Sequence, residues 1–399
     1  MKKLTIILLG LLMALSVQAG NLRTAHIFSD HMVLQRETTA PLWGWGDPGK
    51  TVTVHTSWDG QDHKARVGAD GTWQVNVETG AAGGPYVVTV KSGKYTLSLT
   101  DVLLGEVWVC SGQSNMEMPV GGFGFQDVDG AREAIMKAGT YAGKVRVFDI
   151  RTPKKTEPVD DVDATWTRAS AGVCTRTSAV AWFFATGLTE NLDVPVGIVV
   201  NPWGGSRIEP WMTNEAINAS GITAEERAAI DAIEEKPDRW PETPELIWNG
   251  RVAPIAGYAA KGFLWYQGCS NIGQNCYDKL QTAMVKLWRD AWGRGEMPFI
   301  FTLLAPYEHG DPDGRWRPHF VQTQLRSLET IPSSYAICTE TWGNKVTVHP
   351  SQKKEVADMM VLRALQSVYG QNLNFDIELP RIKSVEYLED GRAKDLLTH

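Results

Sequence analysis

The sequence predicts an α/β protein in three layers, a parallel sheet with helices on both faces, preceded by a small all-β sandwich. Three observations predict it. Apolar residues alternate with period two in segments of residues 20–100. From about residue 101, strand-like and helix-like segments alternate. Several of those strands run into polar, glycine-bearing loops, and open α/β sheets place their ligands outside the carboxyl ends of the strands.

The chain has 399 residues, enough for two domains or one large one. Its net charge is −7 and no block of Lys or Arg stands out, which argues against nucleic acid as a partner. Sixteen Trp is a high count. Trp is a rigid apolar plate with one donor, suited to core packing and to stacking on sugar rings.

Residues 1–19 read as a signal peptide. Lys2 and Lys3 form its basic region. Thr5 to Val17 is apolar but too short to span a bilayer comfortably. Val17-Gln18-Ala19 is a small-x-small cleavage site, so the mature chain is expected to start near Gly20, in the periplasm or outside the cell. No membrane span is expected. The five cysteines, Cys110, Cys174, Cys269, Cys276 and Cys338, leave at least one thiol unpaired, and Cys269 and Cys276 could pair. No Cys-x-x-Cys or His-x-x-x-His occurs, so no metal and no other cofactor is expected.

Residues 20–100 make the expected β-domain. Thr51 to Val54, Trp73 to Val77 and Tyr86 to Val90 alternate, and Asp47-Pro-Gly, Asp59-Gly and Asp70-Gly are turn signals between them. Residues 101–370 make the expected α/β domain. Val107 to Cys110 is a buried strand leading into Gly112-Gln-Ser-Asn115. Ser178 reads as an N-cap for a helix carrying Val180, Phe183, Phe184 and Leu188. Val196 to Val200 is a strand running into Asn201-Pro-Trp-Gly-Gly-Ser206, and a polar helical excursion covers about 214–245. Gly262 to Tyr266 is a strand leading to Gln267-Gly-Cys-Ser-Asn271. Leu280 to Trp292 reads as a helix and Pro298 to Ala305 as a strand. His309 and His319 fall in a charged loop. A short strand, Tyr335 to Cys338, precedes the loop with His349-Pro350, and Lys353 to Tyr369 is a helix stopped by Gly370. Residues 371–399 read as the start of a further β segment, cut short.

Four loops thus follow four strands, and parallel strands would bring all four to one edge. That edge can supply the parts of an acyl-transfer site. Ser114 is the candidate nucleophile, and a serine hydroxyl needs an adjacent base. His349 is the best candidate base, because an imidazole titrates near working pH. The N–H groups of Ser114 and Gly205 and the side-chain amide of Gln267 could form an oxyanion hole. Asn115, Trp203 and Asn271, beside these groups, are expected to contact substrate.

Seven ordered blocks carry a resemblance: Phe28-Ser-Asp-His-Met-Val-Leu-Gln-Arg36, Trp43-Gly-Trp-Gly-Asp-Pro-Gly49, Gly112-Gln-Ser-Asn-Met116, Trp203-Gly-Gly-Ser-Arg-Ile-Glu209, Asn249-Gly-Arg-Val-Ala-Pro254, Trp265-Tyr-Gln-Gly-Cys-Ser-Asn271 and His349-Pro350. With them the chain resembles the sialate O-acetylesterase family, a branch of the SGNH hydrolases related to acetyl-xylan-type esterases. The resemblance implies an SGNH-type, flavodoxin-like sheet. It also implies Ser114 as nucleophile, His349 as base, Gly205 with Gln267 at the oxyanion hole, and acetylated sugars or glycans as substrates.

The sequence departs from the family pattern in three places. Cys269 stands where the family usually has Glu. Thr347 stands where it usually has the Asp that orients the histidine. The chain also ends where the family usually continues through several strands. Glu340, the one carboxylate between Cys338 and His349, is a candidate third member; a Ser–His dyad or a backbone carbonyl are the alternatives. The rival to an esterase is a sugar-binding relative with a decayed triad. A lipase-like esterase is a third option, but no long apolar lid segment is visible.

Overall fold

The computed structural model describes residues 22–397 apart from 237, 309, 376, 379–381 and 389–391. The segment read as a signal peptide and His309 lie outside the described residues. The period-two segments fold as β1 (Arg23–Thr24), β2 (Val33–Gln35), β3 (Thr38–Trp45), β4 (Thr51–Thr56), β5 (Gln61–Arg66), β6 (Thr72–Thr79) and β7 (Gly83–Ser92). β1, β3 and β6 form one antiparallel sheet, while β5, β4 and β7 join a second through β8 (Tyr95–Gly112). β6 alternates strictly, with Trp73, Val75 and Val77 inward, where they share a core with Val52, Val54, Val88 and Val90. Such alternation is what a sheet with one solvated face requires.

β8 ties this part to the rest. Its first residues alternate, whereas Val102 to Gly112 is buried throughout. The expected boundary at 100/101 therefore falls within one strand rather than in a linker. As far as Leu104 β8 pairs antiparallel with β7, at Leu103–Gly105 it pairs parallel with β2, and from Glu106 it pairs parallel with β11 (Val196–Pro202). The change from alternating to continuous burial marks where a half-solvated antiparallel strand becomes a parallel strand covered on both faces.

The remaining strands of this sheet are β9 (Val145–Asp149), β10 (Trp166–Arg168), β12 (Gly262–Tyr266), β13 (Phe299–Thr302) and β14 (Ser334–Ile337). They lie in the order β10-β9-β11-β8-β12-β13-β14, all parallel except β10, which is antiparallel to β9. This is a large mixed sheet. Within it, β11-β8-β12-β13-β14 keep the expected flavodoxin-like order, in which the first of five parallel strands lies between the second and the third. β9 and β10 extend that order by two strands beyond β11. β11 is buried at every position, and such a strand belongs inside a sheet, whereas β9 is backed by the short β10.

Alternate residues of each strand face two cores. Trp108, Cys110, Ile198, Leu264 and Ile300 lie on the face covered by the helices Ala179–Leu192 and Lys353–Ser367. Val107, Val109, Phe263, Trp265 and Phe301 lie on the other face, with the helix Tyr277–Trp292 and with Phe320 of the helix Trp316–Thr330. The three expected layers are present. Ser178 caps the first of these helices by accepting from Ala181 N–H at 3.2 Å.

The helix Trp316–Thr330 corrects the expectation of a charged loop around His319. Its fully buried residues are Phe320, Thr323, Gln324 and Ser327, and Val321, Leu325 and Leu328 at helical spacing pack against the core beside them. The five cysteines are all free, so Cys269 and Cys276 are not bridged. β15 (Ile382–Tyr387) and β16 (Ala393–Leu397) pair with each other, antiparallel. Among the described residues, no helix is long and apolar enough to cross a membrane.

Candidate active site

The parallel register brings the expected loops to one edge. Gly112, the last residue of β8, is level with Pro202 at the end of β11 and with Tyr266 at the end of β12. Gly112 has φ +140, and a Cβ there would lie 2.3 Å from the Tyr266 carbonyl oxygen. Only glycine allows this approach. The chain then turns through Gln113 into a single helical turn, Ser114–Glu117. Gln113 fixes that turn, since its N–H donates to the Tyr266 carbonyl at 2.9 Å and its Oε1 accepts from Gly268 N–H at 2.8 Å.

His349 arrives from the loop after β14. Its Nε2 lies 2.8 Å from Ser114 Oγ. Its Nδ1 lies 2.8 Å from Gln126 Oε1. Gln126 Nε2 donates to Thr347 Oγ1 at 3.0 Å, and Thr347 Oγ1 also accepts the His349 backbone N–H at 3.1 Å. The Phe123 ring meets the imidazole edge-on at 5.4 Å. Burial, and then the charge of Lys353, push the imidazole down to about 4. The ring is therefore neutral at ordinary pH, as a proton acceptor must be.

Glu340 does not take the third position. It forms an ion pair with Arg317, and its side chain is 62% exposed. Arg317 draws the carboxylate to the helix Trp316–Thr330, a segment expected to be a charged loop. Gln126 is the functional candidate that sequence reading missed. It lies in a glycine-rich loop with no motif to mark it; the substitution at Thr347 was the only hint that a partner must come from elsewhere.

The loop after β11 reaches the serine, since a Cβ on Gly204 would lie 3.6 Å from Ser114 Cβ. Gly204 N–H donates to Glu117 Oε2 at 2.9 Å. Among the described residues, the N–H groups of Ser114 and Gly205 have no protein acceptor. These two donors fit an oxyanion hole. Gln267 does not fit as a third. It is buried, and its Nε2 already donates to Ser206 O at 3.1 Å and Asn271 Oδ1 at 2.7 Å, while its Oε1 accepts from Tyr277 OH. Both amide hydrogens are engaged in holding the loops together.

Two expected substrate contacts are likewise structural. Asn271 is fully buried and joins Ile208 N–H, Gln267, Glu209 and Gln274. Asn115 is buried, donating from Nδ2 to the Val348 carbonyl at 3.0 Å and accepting at Oδ1 from Lys353 Nζ. Trp203 is partly buried, with the Arg251 guanidinium 3.9 Å from its ring centroid. Trp240, from the polar excursion, is 47% exposed and packs on the Gly205 backbone, where a Cβ would lie 2.5 Å from its ring. Among the described residues, no group of three His, Cys, Asp or Glu is placed to hold a metal ion.

A family described as carbohydrate esterase, sialic acid-specific acetylesterase matches residues 104–359. The chain belongs to this family. The match runs from β8 to the helix after His349 and so includes every residue of the site above. Among relatives of this sialic acid-specific acetylesterase family member, the mouse (Mus musculus) sialate O-acetylesterase is 30% identical, over 98% of this chain and 81% of that protein. The human (Homo sapiens) sialate O-acetylesterase is 29% identical, over 94% of this chain and 77% of that protein. A carbohydrate acetylesterase from Xanthomonas citri has a solved structure with a TM-score of 0.82, 28% identity, and coverage of 94% of this chain and 81% of that one. Membership makes the chain a carboxylic-ester hydrolase.

Proposed function

We propose that the protein is an exported serine esterase that removes O-acetyl groups from sialic acid or a related acetylated sugar. The observation that carries the serine mechanism is the 2.8 Å contact between His349 Nε2 and Ser114 Oγ. Ser114 Oγ attacks the acetyl carbonyl carbon as His349 Nε2 takes its proton. The carbonyl oxygen becomes an oxyanion facing the Ser114 and Gly205 N–H groups. His349 then returns the proton to the departing sugar oxygen, which leaves an acetyl-enzyme. Water, deprotonated by His349, attacks that ester; the bond to Ser114 Oγ breaks, His349 returns the proton to Oγ, and acetate leaves. Each oxyanion donor is worth roughly 10²–10³ in rate.

The family description and the names of the mammalian relatives support sialic acid as the sugar. Acetate release from O-acetylated sialic acid, acetylated xylan and an aryl acetate tests the reading, with wild type against Ser114→Ala. Turnover lost in the folded variant is expected. A folded wild type that releases no acetate would favour the sugar-binding alternative. Export rests on Lys2, Lys3 and the apolar stretch to Val17. Amino-terminal sequencing of the protein recovered outside the cytoplasm is expected to begin near Gly20; an intact Met1 there would sink this part.

A further inference from the structure

We propose that Gln126 is the positioning residue of His349, a neutral amide standing where a carboxylate would, with Thr347 fixing which end of the amide faces the ring. The inference rests on the Ser114–His349 reading. Thr347 Oγ1 receives two donors, the His349 backbone N–H at 3.1 Å and Gln126 Nε2 at 3.0 Å. With Nε2 held there, Oε1 faces His349 Nδ1 at 2.8 Å. An acceptor at Nδ1 requires the proton on Nδ1, which leaves the Nε2 lone pair directed at Ser114 Oγ. That is the tautomer a general base needs. An amide replacing a triad carboxylate is damaging when it stabilises the wrong tautomer. Here the Thr347 hydroxyl opposes that outcome.

The loop holds Gln126 in place by its backbone. Phe123 N–H donates to the Gln126 carbonyl at 3.0 Å, and Gln126 N–H donates to the Phe123 carbonyl at 2.9 Å. The amide orients the ring but brings no negative charge to the imidazolium that forms during turnover. The groups packed around the ring are Ser114 from the nucleophile turn, Phe123 and Gln126 from the glycine-rich loop, Thr347 from its own loop and Lys353 from the following helix. Lys353 is the charged one among them. Asp129, close in sequence to Gln126, accepts from Ser351 Oγ instead.

The test compares Gln126→Ala, Gln126→Glu and Thr347→Val with wild type, after thermal unfolding shows each to be folded. The readouts are kcat and KM on an aryl acetate, the acid limb of kcat/KM, and the ¹⁵N shifts of the His349 ring through a pH titration. Gln126→Ala is expected to lower kcat about tenfold or more with KM within twofold. Gln126→Glu is expected to retain or raise kcat and to move the acid limb and the ring titration upward by about one pH unit, because a carboxylate stabilises the imidazolium. Thr347→Val is expected to shift the ring toward the other tautomer. Wild-type kcat and titration in Gln126→Ala would overturn the proposal, as would equal losses in the Ala and Glu variants. Ser114→Ala, measured alongside, separates the two readings: activity surviving there defeats the serine mechanism, whatever Gln126 does. The ring titration decides the positioning role even without turnover.

Discussion

Asn115 Nδ2 donates to the Val348 carbonyl at 3.0 Å, so the residue after Ser114 holds the residue before His349. This bond spans two loops far apart in sequence and sets the distance between nucleophile and base. Asn115→Ala is expected to lower kcat by about tenfold to a hundredfold with little change in KM, since small misplacements of reacting groups are costly. Stability should fall by about 1–2 kcal/mol, as Lys353 and the Val348 carbonyl lose a buried partner. Steady-state kinetics and urea unfolding check both effects.

Glu340→Ala is expected to keep kcat within about twofold of wild type. Its carboxylate is engaged by Arg317 and its side chain is exposed, and exposed ion pairs contribute little. A hundredfold loss of kcat in this variant would return Glu340 to the machinery.

The acid limb of kcat/KM should lie well below the usual histidine range. His349 accepts a proton only when neutral, and burial and Lys353 hold it at about 4. Activity is therefore expected to persist as pH falls from neutral and to be lost near pH 4. A limb near 6.5 would show that the ring is solvated. The same depression has a stability consequence. Between about 6.5 and 4 the unfolded chain binds a proton that the folded chain refuses, so this group lowers stability as pH falls through that window.

Lys353 is itself pushed down to about 7 by burial. Lys353→Met removes its charge from the ring, so the acid limb is expected to move up but to stay well below 6.5, because burial is the larger cause. The pH–rate profile of this variant reads the shift directly, and an unmoved limb would leave burial as the whole cause.

Gly205→Ala combines a φ of +70 with a Cβ placed 2.5 Å from the Trp240 ring. The variant is expected to lose roughly a hundredfold in kcat through the displaced oxyanion donor. Trp240→Ala leaves that N–H in place. It is expected to raise KM for an acetylated sugar but not for an aryl acetate, which would identify the exposed ring as a stacking surface for the sugar.

Much of the site is legible in the sequence. The strand expected at Gly262 to Tyr266 has those bounds in the fold, and Val196 to Val200 lies within β11. A single deduction, that parallel strands share one carboxyl edge, brings Ser114, Gly205 and His349 together. The amides are less legible. Gln267 and Asn271 sit beside the reacting groups in sequence, yet their hydrogens are committed to neighbouring loops. Gln126, with no motif around it, supplies the contact that the absent aspartate would have made.

Local sequence is enough to specify the four strands that lead into the site, their shared edge and the serine and histidine that meet there, because apolar periodicity and glycine-bearing turns are local properties of the chain. The two strands added beyond β11, the partner of His349 and the role of each amide emerge only when the chain is folded. Those choices depend on which buried donors and acceptors come within about 3 Å of one another, and around His349 they belong to residues more than two hundred positions apart.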